Sequence, residues 1–348
     1  MNEPRLPPAG WLPVAASWRD HMLWVDWSYF GEGPLREPFF DDEVQNCLRR
    51  PFNRLFRYAT PITRLPDCLK ANRHLQPDGF IFHMSRCGST LVSQMLGGLP
   101  GSIVVSEAGP IDTVVNARGV CSDLSEDDHA LWLRWMIGTF GQARRGDEQL
   151  FIVKLDSWHT RNLALFRRAF PDVPWIFLYR DPVEVMVSHL RRPGMQMVPA
   201  LVGAEHLGLN PSDAWQAPAM YCAQVLARIC EPVSRLEALD GGLLINYRQL
   251  PTAVLTSIMP HFGIAADNNA RAVLSKIASR DAKIPGLAFA DDSVAKQHEA
   301  STHVRDLART WLDSHYRQLE ANRLGAATVC GVSNHTLNGR AIADMADL

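Results

Sequence analysis

The sequence predicts an α/β protein built on a central parallel sheet with helices packed against it. Between about residue 76 and residue 250, short apolar runs rich in β-branched and aromatic residues alternate with segments of helical periodicity. This alternation is typical of successive βαβ units. Polar residues follow several runs, and parallel sheets bind ligands at the carboxyl ends of their strands. The five predicted strands are GFIFHM, SIVVSE, LFIVKL, PWIFLYR and LLINYR.

Composition narrows the classes of function. With 348 residues, of which 47% are hydrophobic, the chain can form one large core with an accessory segment. The formal net charge of -2 disfavours broad binding to nucleic acid or to anionic membranes, so an anionic ligand requires a local basic cluster. The seven cysteines are scattered, which suggests neither a disulfide framework nor a zinc site and favours a reducing compartment.

Three segments are predicted along the chain. Residues 1–75 are rich in Trp, Pro and Phe and are expected to form an accessory layer; residues 76–325 form the α/β domain, and 326–348 form a tail. The polar stretch between Ile284 and Ser301 is interpreted as a functional lid loop. No signal pattern or membrane-length apolar run is found, so a cytoplasmic protein without a membrane span is expected.

The stretch FIFHMSRCGSTLVSQML, from Phe80 to Leu96, predicts a loop that binds an anion. A strand, a turn containing Gly88 and a helix that opens at Ser89 would direct backbone N–H groups and the positive helix end toward a ligand. The Walker A pattern of nucleotide triphosphatases requires lysine where this chain has Ser89, and glycine where it has His83. Arg86 could pair with phosphate oxygens instead. The alternative is a strand-to-helix turn without a ligand, in which His83 is simply packed.

A second cluster follows the predicted strand WIFLY. Arg180 ends this strand, and Asp181, Pro182 and Glu184 are suited to the N-cap, first and third positions of a helix, with a capping box. Arg180 would then lie beside a helix N-terminus, with Ser188 two turns further on. The alternative is that Arg180 pairs with a neighbouring carboxylate and that Ser188 has no special role.

Together the two motifs resemble those of the sulfotransferases that use 3′-phosphoadenosine-5′-phosphosulfate. SRCGSTLVSQML is similar to their 5′-phosphosulfate loop, with cysteine at position 87 in place of serine, and FLYRDPVEVMVSH is similar to their 3′-phosphate segment. INYRQL resembles a further strand of the family. The resemblance covers about half of the chain, is strongest to the tyrosylprotein and bacterial members, and implies a P-loop-NTPase-like three-layer α/β fold.

The resemblance also implies how the sulfate donor is bound, without a metal and with 3′,5′-adenosine bisphosphate as the product. A loop that supplies its positive charge through Arg86 is enough to bind this donor, because the donor has no polyphosphate chain that would require a lysine and magnesium. Lys296 would close over the donor, although a solvated lysine is the alternative. The implied donor contacts are Ser85, Arg86, Cys87, Gly88, Ser89 and Thr90 at the 5′-phosphosulfate, Arg180 and Ser188 at the 3′-phosphate, and Tyr247 and Lys296 in addition.

In-line transfer of the sulfuryl group to an acceptor hydroxyl requires a base that takes the hydroxyl proton and a group that stabilises charge on the leaving phosphate. Arg86 and Lys154 are the candidates for stabilisation; an ion pair of Lys154 with Asp156 or Glu107 is the alternative. Glu107 is the candidate base, because it ends a strand before a turn and is placed like the catalytic glutamate of the tyrosylprotein and bacterial enzymes. The fallback candidates are His159 and His129.

Other classes of function remain open at this point. The chain could be a degenerate P-loop kinase or nucleotide hydrolase, with LFIVKLD as its magnesium-binding strand, or a nucleotide-binding protein without turnover. A sulfotransferase would need a hydroxyl-bearing acceptor, with a cleft shaped by residues 191–215 and the N-terminal layer. No nucleic-acid partner is predicted.

Overall fold

The core of the protein is a five-stranded parallel sheet in a computed structural model that describes residues 6–199, 201–278 and 292–336. The strands run in the order β5-β6-β4-β7-β8, and every neighbouring pair is parallel. All five coincide with the predicted runs to within two residues. These core strands are β4 (Gly79–His83), β5 (Ser102–Ser106), β6 (Leu150–Lys154), β7 (Trp175–Tyr179) and β8 (Gly242–Asn246), and they follow β1 (Trp11–Arg19), β2 (Met22–Tyr29) and β3 (Tyr58–Pro61) in the chain.

Helices surround this sheet and connect its strands. The central strands β4 and β7 are buried along their whole length, as expected for strands covered on both faces. The α-helices α1 to α16 are Phe40–Leu48, Pro51–Leu55, Leu65–Ala71, Ser89–Gly97, Gly109–Val115, Ala117–Val120, Glu126–Phe140, Leu163–Ala169, Pro182–Arg191, Ala204–Leu207, Pro218–Ser234, Met259–His261, Asn268–Ala278, Ser293–Glu299, Thr302–Trp311 and Asp313–Thr336.

The N-terminal segment forms a layer of its own against the sheet domain. Strands β1, β2 and β3 make an antiparallel sheet. Trp11 and Trp27 are buried in it, and β1 packs against α5 and α7 of the main domain. The aromatic residues of this segment therefore belong to a core that is continuous with that of the parallel sheet.

The helix after β7 begins as the sequence indicates, with one difference. Asp181 is the N-cap of α9 and accepts a hydrogen bond from the N–H of Val183 at 2.9 Å, and Pro182 is the first helical residue. The predicted capping box is wrong, because the Glu184 carboxylate accepts from Arg180 Nε at 2.6 Å instead. An ion pair between two buried side chains replaces the expected contact with the backbone.

The described part of the C-terminal third is largely helical, which affects two of the predictions. The stretch from Ile284 to Ser301 is not a continuous loop, because residues 293–299 form helix α14; residues 284–291 lie outside the described residues. The boundary proposed between residues 325 and 326 falls within α16, while 337–348 lie outside the described residues, and the division into segments stays a prediction. Among the described helices, none is both long and apolar enough to cross a bilayer.

Candidate active site at the carboxyl edge of the sheet

A cavity of about 440 Å³ lies at the carboxyl ends of the parallel strands and collects every predicted site residue except the two fallback histidines. A larger cleft of about 1220 Å³ lies along the edge strand β5 and contains none of them. The predicted residues that line the smaller cavity are Ser85, Arg86, Cys87, Gly88, Ser89, Thr90, Glu107, Lys154, Arg180, Ser188, Tyr247 and Lys296.

The loop between β4 and α4 has an unusual backbone. Ser85, Arg86 and Gly88 have φ angles of 77°, 52° and 86°, and α4 begins directly afterwards at Ser89. Left-handed positions in sequence turn successive N–H groups into one concave surface, which is a common way to bind an anion. The φ angle of Gly88 is the main reason for glycine at this position; a Cβ atom there would also lie 2.6 Å from Leu250 Cδ1, the movable end of a side chain.

His83 fixes this loop to the rest of the site. Its Nδ1 accepts a hydrogen bond from the N–H of Ser85 at 3.1 Å, so Nε2 carries the proton and donates to the Leu155 carbonyl at 2.9 Å. Burial lowers the pKa of His83, which keeps the ring neutral. The same Nε2 lies 3.3 Å from Glu107 Oε1. His83 is thus packed and hydrogen-bonded, and it connects the loop to the candidate base.

Cys87 faces the sheet. Its thiol donates to the carbonyl oxygen of Leu178 at 3.1 Å, and burial raises its pKa to about 11, so it stays protonated. Any contact with a ligand at this position therefore falls to the backbone. Arg86 extends from the loop toward the end of α9, where its Nη2 donates to the carbonyl of Arg192 at 2.8 Å.

Glu107 and Lys154 form an ion pair inside the cavity. Lys154 is the last residue of β6 and is only 1% exposed, and its Nζ lies 2.5 Å from Glu107 Oε1. Burial alone would raise the pKa of Glu107, but the nearby Lys154 ammonium and then His83 outweigh burial and hold this pKa well below its usual range. The Lys154 ammonium also lies 4.9 Å from the centre of the Phe39 ring. Of the two ion-pair partners predicted for Lys154, Glu107 is the one found.

Arg180 lies at the other end of the cavity, where its guanidinium contacts two carboxylates, the Ser293 hydroxyl and an aromatic ring. Its Nε donates to Glu184 Oε2 and its Nη2 donates to Asp292 Oδ1, both at 2.6 Å. Its guanidinium carbon lies 3.8 Å from the centre of the Tyr247 ring, a stacked cation–π geometry. The predicted pairing of Arg180 with a neighbouring acid is therefore present, yet Arg180 still lines the cavity.

Lys296 is not the solvated lysine that the sequence allows. It lies on α14, is 5% exposed, and its Nζ is 2.7 Å from Asp292 Oδ2. Burial lowers the pKa of Lys296. Ser188 is half-buried on α9, where it also faces the cavity. One carboxylate, that of Asp292, thus contacts both of the cations predicted at this end.

Sequence reasoning missed several residues that line the cavity or contact its lining. Asp292 gave no signal, since it is one of two adjacent aspartates in a polar stretch. Glu184 lies four residues after Arg180 and could have been recognised as its helical ion-pair partner. Phe39, Trp158 and Met195 also line the cavity, and they come from three segments that are distant in the chain.

The fallback histidines are held elsewhere and do not line the cavity in the described part of the chain. His129 Nε2 lies 2.7 Å from the Val114 carbonyl, and His159 Nε2 lies 2.8 Å from Asp112 Oδ1. His159, Asp112 and Asp156 bring possible metal-ligand atoms to within 4.8 Å of one another. Trp158 Nε1 donates to that same Asp112 oxygen at 2.8 Å, so a hydrogen-bonded cluster accounts for this arrangement.

Comparison with solved structures finds sulfotransferases, the family that the two motifs resemble. The sulfotransferase domain of the curacin biosynthetic pathway is 18% identical, with 72% of this chain and 98% of that chain covered and a TM-score of 0.40. A sulfotransferase of Mycobacterium avium is 15% identical over 72% and 79%, with a TM-score of 0.41. The sulfotransferase domain of the Synechococcus olefin synthase is 20% identical over 72% and 95%, with a TM-score of 0.40.

No family model and no curated protein matches this chain. At these identities and TM-scores, the solved structures do not assign a function to this chain. The assignment of a reaction to this chain therefore rests on the side chains of its own cavity.

Proposed function

We propose that this protein transfers a sulfuryl group from 3′-phosphoadenosine-5′-phosphosulfate to a hydroxyl of an acceptor. The observation that carries the proposal is the content of one cavity. The loop at residues 85–90 lies at one end, Arg180 stacked on Tyr247 lies at the other, and the Glu107–Lys154 pair shares the same space. A donor with phosphate groups at both ends and a reactive sulfuryl group matches this order of sites.

The residues present fit that donor. Backbone N–H groups of residues 86–90, with the Arg86 side chain, would hold the 5′-phosphosulfate. Arg180, Ser188 and Lys296 would hold the 3′-phosphate, and the guanidinium plane of Arg180 suits a phosphate with two oxygens facing it. The positive charge that a nucleotide triphosphatase obtains from lysine and magnesium would here come from arginine and lysine side chains, so we propose that transfer proceeds without a metal.

The Glu107–Lys154 pair would carry out the proton and charge chemistry. The bound donor supplies the sulfuryl group and a phosphate as the leaving group. Lys154 would donate a hydrogen bond to the leaving phosphate oxygen, and Glu107 would accept the proton of the acceptor hydroxyl. While it is paired with Lys154, Glu107 is a weak base. Movement of the ammonium toward the leaving phosphate would raise the pKa of Glu107 and make it a stronger base at the moment it is needed.

The acceptor side of the cavity is apolar and aromatic. Phe39 lies against the Lys154 ammonium, and Trp158 and Met195 line the same cavity. Such a wall favours an acceptor whose hydroxyl is attached to an aromatic or aliphatic group over a free sugar. Phe39 comes from the N-terminal segment and Met195 from the 191–215 segment, so both would contribute to the choice of acceptor.

The first test is calorimetric titration of the protein with 3′,5′-adenosine bisphosphate and with ATP, each with and without magnesium. Arg180→Ala would leave the carboxylate of Glu184, which is 2% exposed, without its partner. Arg180→Met combined with Glu184→Gln avoids this problem, because it removes both charges. Glu184→Gln alone is the control.

The expected result is metal-independent binding of the bisphosphate that survives Glu184→Gln and is lost in the double variant. The loss corresponds to a weakening of binding by about 2 kcal/mol, or about 30-fold, because a charged hydrogen-bond partner of the phosphate is removed. Binding of ATP only with magnesium would favour a kinase or hydrolase. Binding of neither nucleotide would contradict the proposed donor.

A further inference from the structure

A second surface, away from the cavity, combines exposed arginines with exposed apolar side chains. We name it the α2 patch and define it as residues 49–57, RRPFNRLFR, which contain helix α2. Its four arginines are all exposed. In the described residues, no ion pair involves any of them. From residue 44 to residue 66 the sequence contains no acidic residue, so this is a local basic cluster on a chain with a net charge of -2.

Large apolar side chains project from the same short segment. Phe52, Leu55 and Phe56 are 47%, 78% and 55% exposed. Exposed apolar residues that occur singly are ordinary, but three within five positions, surrounded by exposed arginines, form a patch. The Phe52 and Phe56 rings lie 4.9 Å apart between their centres, so the apolar part of the patch is continuous.

The exposure of these side chains is enforced by the way α2 is anchored. Asn53 is fully buried, and its Nδ2 donates to the Tyr29 carbonyl at 2.9 Å and to the Cys47 carbonyl at 3.0 Å. Its Oδ1 accepts from the N–H of Tyr29 at 2.9 Å. With Asn53 fixed inward, Leu55 and Phe56 cannot turn into the core. The inner edge of Phe52 contacts Trp11 and Tyr29, which ties the patch to the N-terminal sheet.

We propose that the α2 patch docks this protein onto the surface of an anionic lipid bilayer. Aromatic and leucine side chains enter the boundary between headgroups and acyl chains, and arginines beside them pair with anionic headgroups. A site for single-stranded nucleic acid also combines arginines with stacking aromatic rings, but the most exposed apolar side chain of the patch is Leu55, which has no ring to stack on a base. The chemistry of the patch therefore fits a membrane surface best.

A single short helix, α1, connects the α2 patch to the wall of the cavity. Helix α1 begins one residue after Phe39, which lines the cavity, and ends one residue before Arg49. Nine helical residues span about 14 Å, so docking through α2 would bring the cavity near the bilayer surface. An acceptor that is itself held in the membrane interface could then reach it. The docking proposal does not depend on the reaction that the cavity catalyses.

The test is sedimentation of the full chain with vesicles of phosphatidylcholine alone and of phosphatidylcholine mixed with phosphatidylglycerol in equal amounts. Wild type is expected to partition onto the anionic vesicles at least about tenfold better, and less so as salt is raised. Arg54→Glu with Arg57→Glu is expected to weaken this partition by more than about 30-fold, because two charge attractions are lost and two repulsions replace them. Leu55→Ser with Phe56→Ser is expected to weaken it about tenfold.

Matched controls separate the patch from general effects of charge and apolar surface. Arg309→Glu with Arg317→Glu reverses two charges that are 73% and 78% exposed, and Val120→Ser with Leu131→Ser removes two exposed apolar side chains elsewhere. Both controls should bind vesicles like wild type. Equal loss in the controls, no preference for anionic vesicles, or binding of DNA or RNA in place of vesicles would overturn the proposal.

Discussion

The carboxylate of Asp292 contacts two cations at the far end of the cavity, with Oδ1 2.6 Å from Arg180 Nη2 and Oδ2 2.7 Å from Lys296 Nζ. Burial alone would raise the pKa of Asp292, but hydrogen bonds from Lys296 and Arg180 outweigh burial and lower it, so the group is anionic at neutral pH. Asp292 therefore lies where the proposal places the 3′-phosphate. A phosphate and this carboxylate would compete for the same two cations.

We expect Asp292→Asn to bind 3′,5′-adenosine bisphosphate more tightly than wild type. The substitution keeps the size of the side chain and removes the negative charge that the phosphate must displace. Because Asp292 is partly exposed, the gain is discounted to about 1 kcal/mol, or about fivefold in affinity. Calorimetric titration with the bisphosphate measures it directly.

The control for this variant is Asp306→Asn, which removes an exposed carboxylate that is also paired with an arginine on a helix. Its affinity for the bisphosphate should equal that of wild type. If Asp292→Asn instead weakens binding, then Asp292 orients Arg180 and Lys296 for the ligand and does not compete with it.

The proposed base gives a second prediction. Glu107→Gln is expected to lower turnover about a hundredfold or more, while the affinity for the bisphosphate changes by less than about threefold. The measurement is transfer from radiolabelled donor to a panel of phenols and alcohols. The substitution also leaves Lys154 buried without a carboxylate, so a fall in thermal stability is expected.

A double variant separates catalysis from stability in this pair. Glu107→Gln combined with Lys154→Met removes both charges, and we expect it to recover much of the thermal midpoint lost in Glu107→Gln alone. Turnover should stay low. Recovery of turnover together with the midpoint would mean that Glu107 supports the fold and is not the base.

The sheet and the cavity lining could be predicted from the sequence because both depend on local patterns. Each strand is a short apolar run, and a parallel sheet brings the residues that follow its strands to one edge. This rule alone placed Glu107, Lys154 and Arg180 near the loop at residues 85–90. No knowledge of the strand order was needed for that prediction.

The remaining features depend on contacts between distant segments, which no local pattern encodes. Asp292 meets Arg180 across 112 residues, and Phe39 meets Lys154 across the boundary between the N-terminal layer and the sheet. The predicted solvated position of Lys296 failed for the same reason, since α14 packs against α9 and buries it. The capping box failed because Arg180 competes for the Glu184 carboxylate more strongly than a backbone N–H does.

Gly88 provides a test of the loop that does not involve charge. We expect Gly88→Ala to abolish detectable bisphosphate binding, because a methyl group would lie 2.6 Å from Leu250 Cδ1 and 3.1 Å from Tyr247 Cδ2. The φ angle of 86° adds strain, and the total cost to stability is expected to be about 1–3 kcal/mol. Gly263→Ala, also at positive φ but with no atom near a new Cβ, is the control and should keep binding intact.

The raised pKa of the Asp156 carboxyl makes one contribution to the pH dependence of the protein's stability. It is buried, and burial raises its pKa above the value of 3.8 that it has in the unfolded chain, with Glu107 and Asp112 adding to the effect. Between these two pKa values the unfolded chain binds fewer protons than the folded one, so stability falls as the pH rises. His159, whose pKa is raised from 6.5, contributes a fall in the same direction as the pH passes upward through that value. Asp156 and His159 therefore contribute a decline in stability between pH 5 and pH 8, which is opposed by four histidines whose pKa is lowered by burial: His83, His129, His261 and His315.

Asp156→Asn removes the carboxylate part of this decline, because an amide does not ionise. We expect the thermal midpoint of the variant, relative to that of wild type, to rise by about 2 °C for each unit of pH between 5 and 7, since the largest possible slope is about 1.4 kcal/mol per unit. Asp172→Asn, at an exposed aspartate, should show no such trend. A constant difference between Asp156→Asn and wild type across this range would mean that Asp156 is already ionised in the folded protein, and that His159 compensates for its burial.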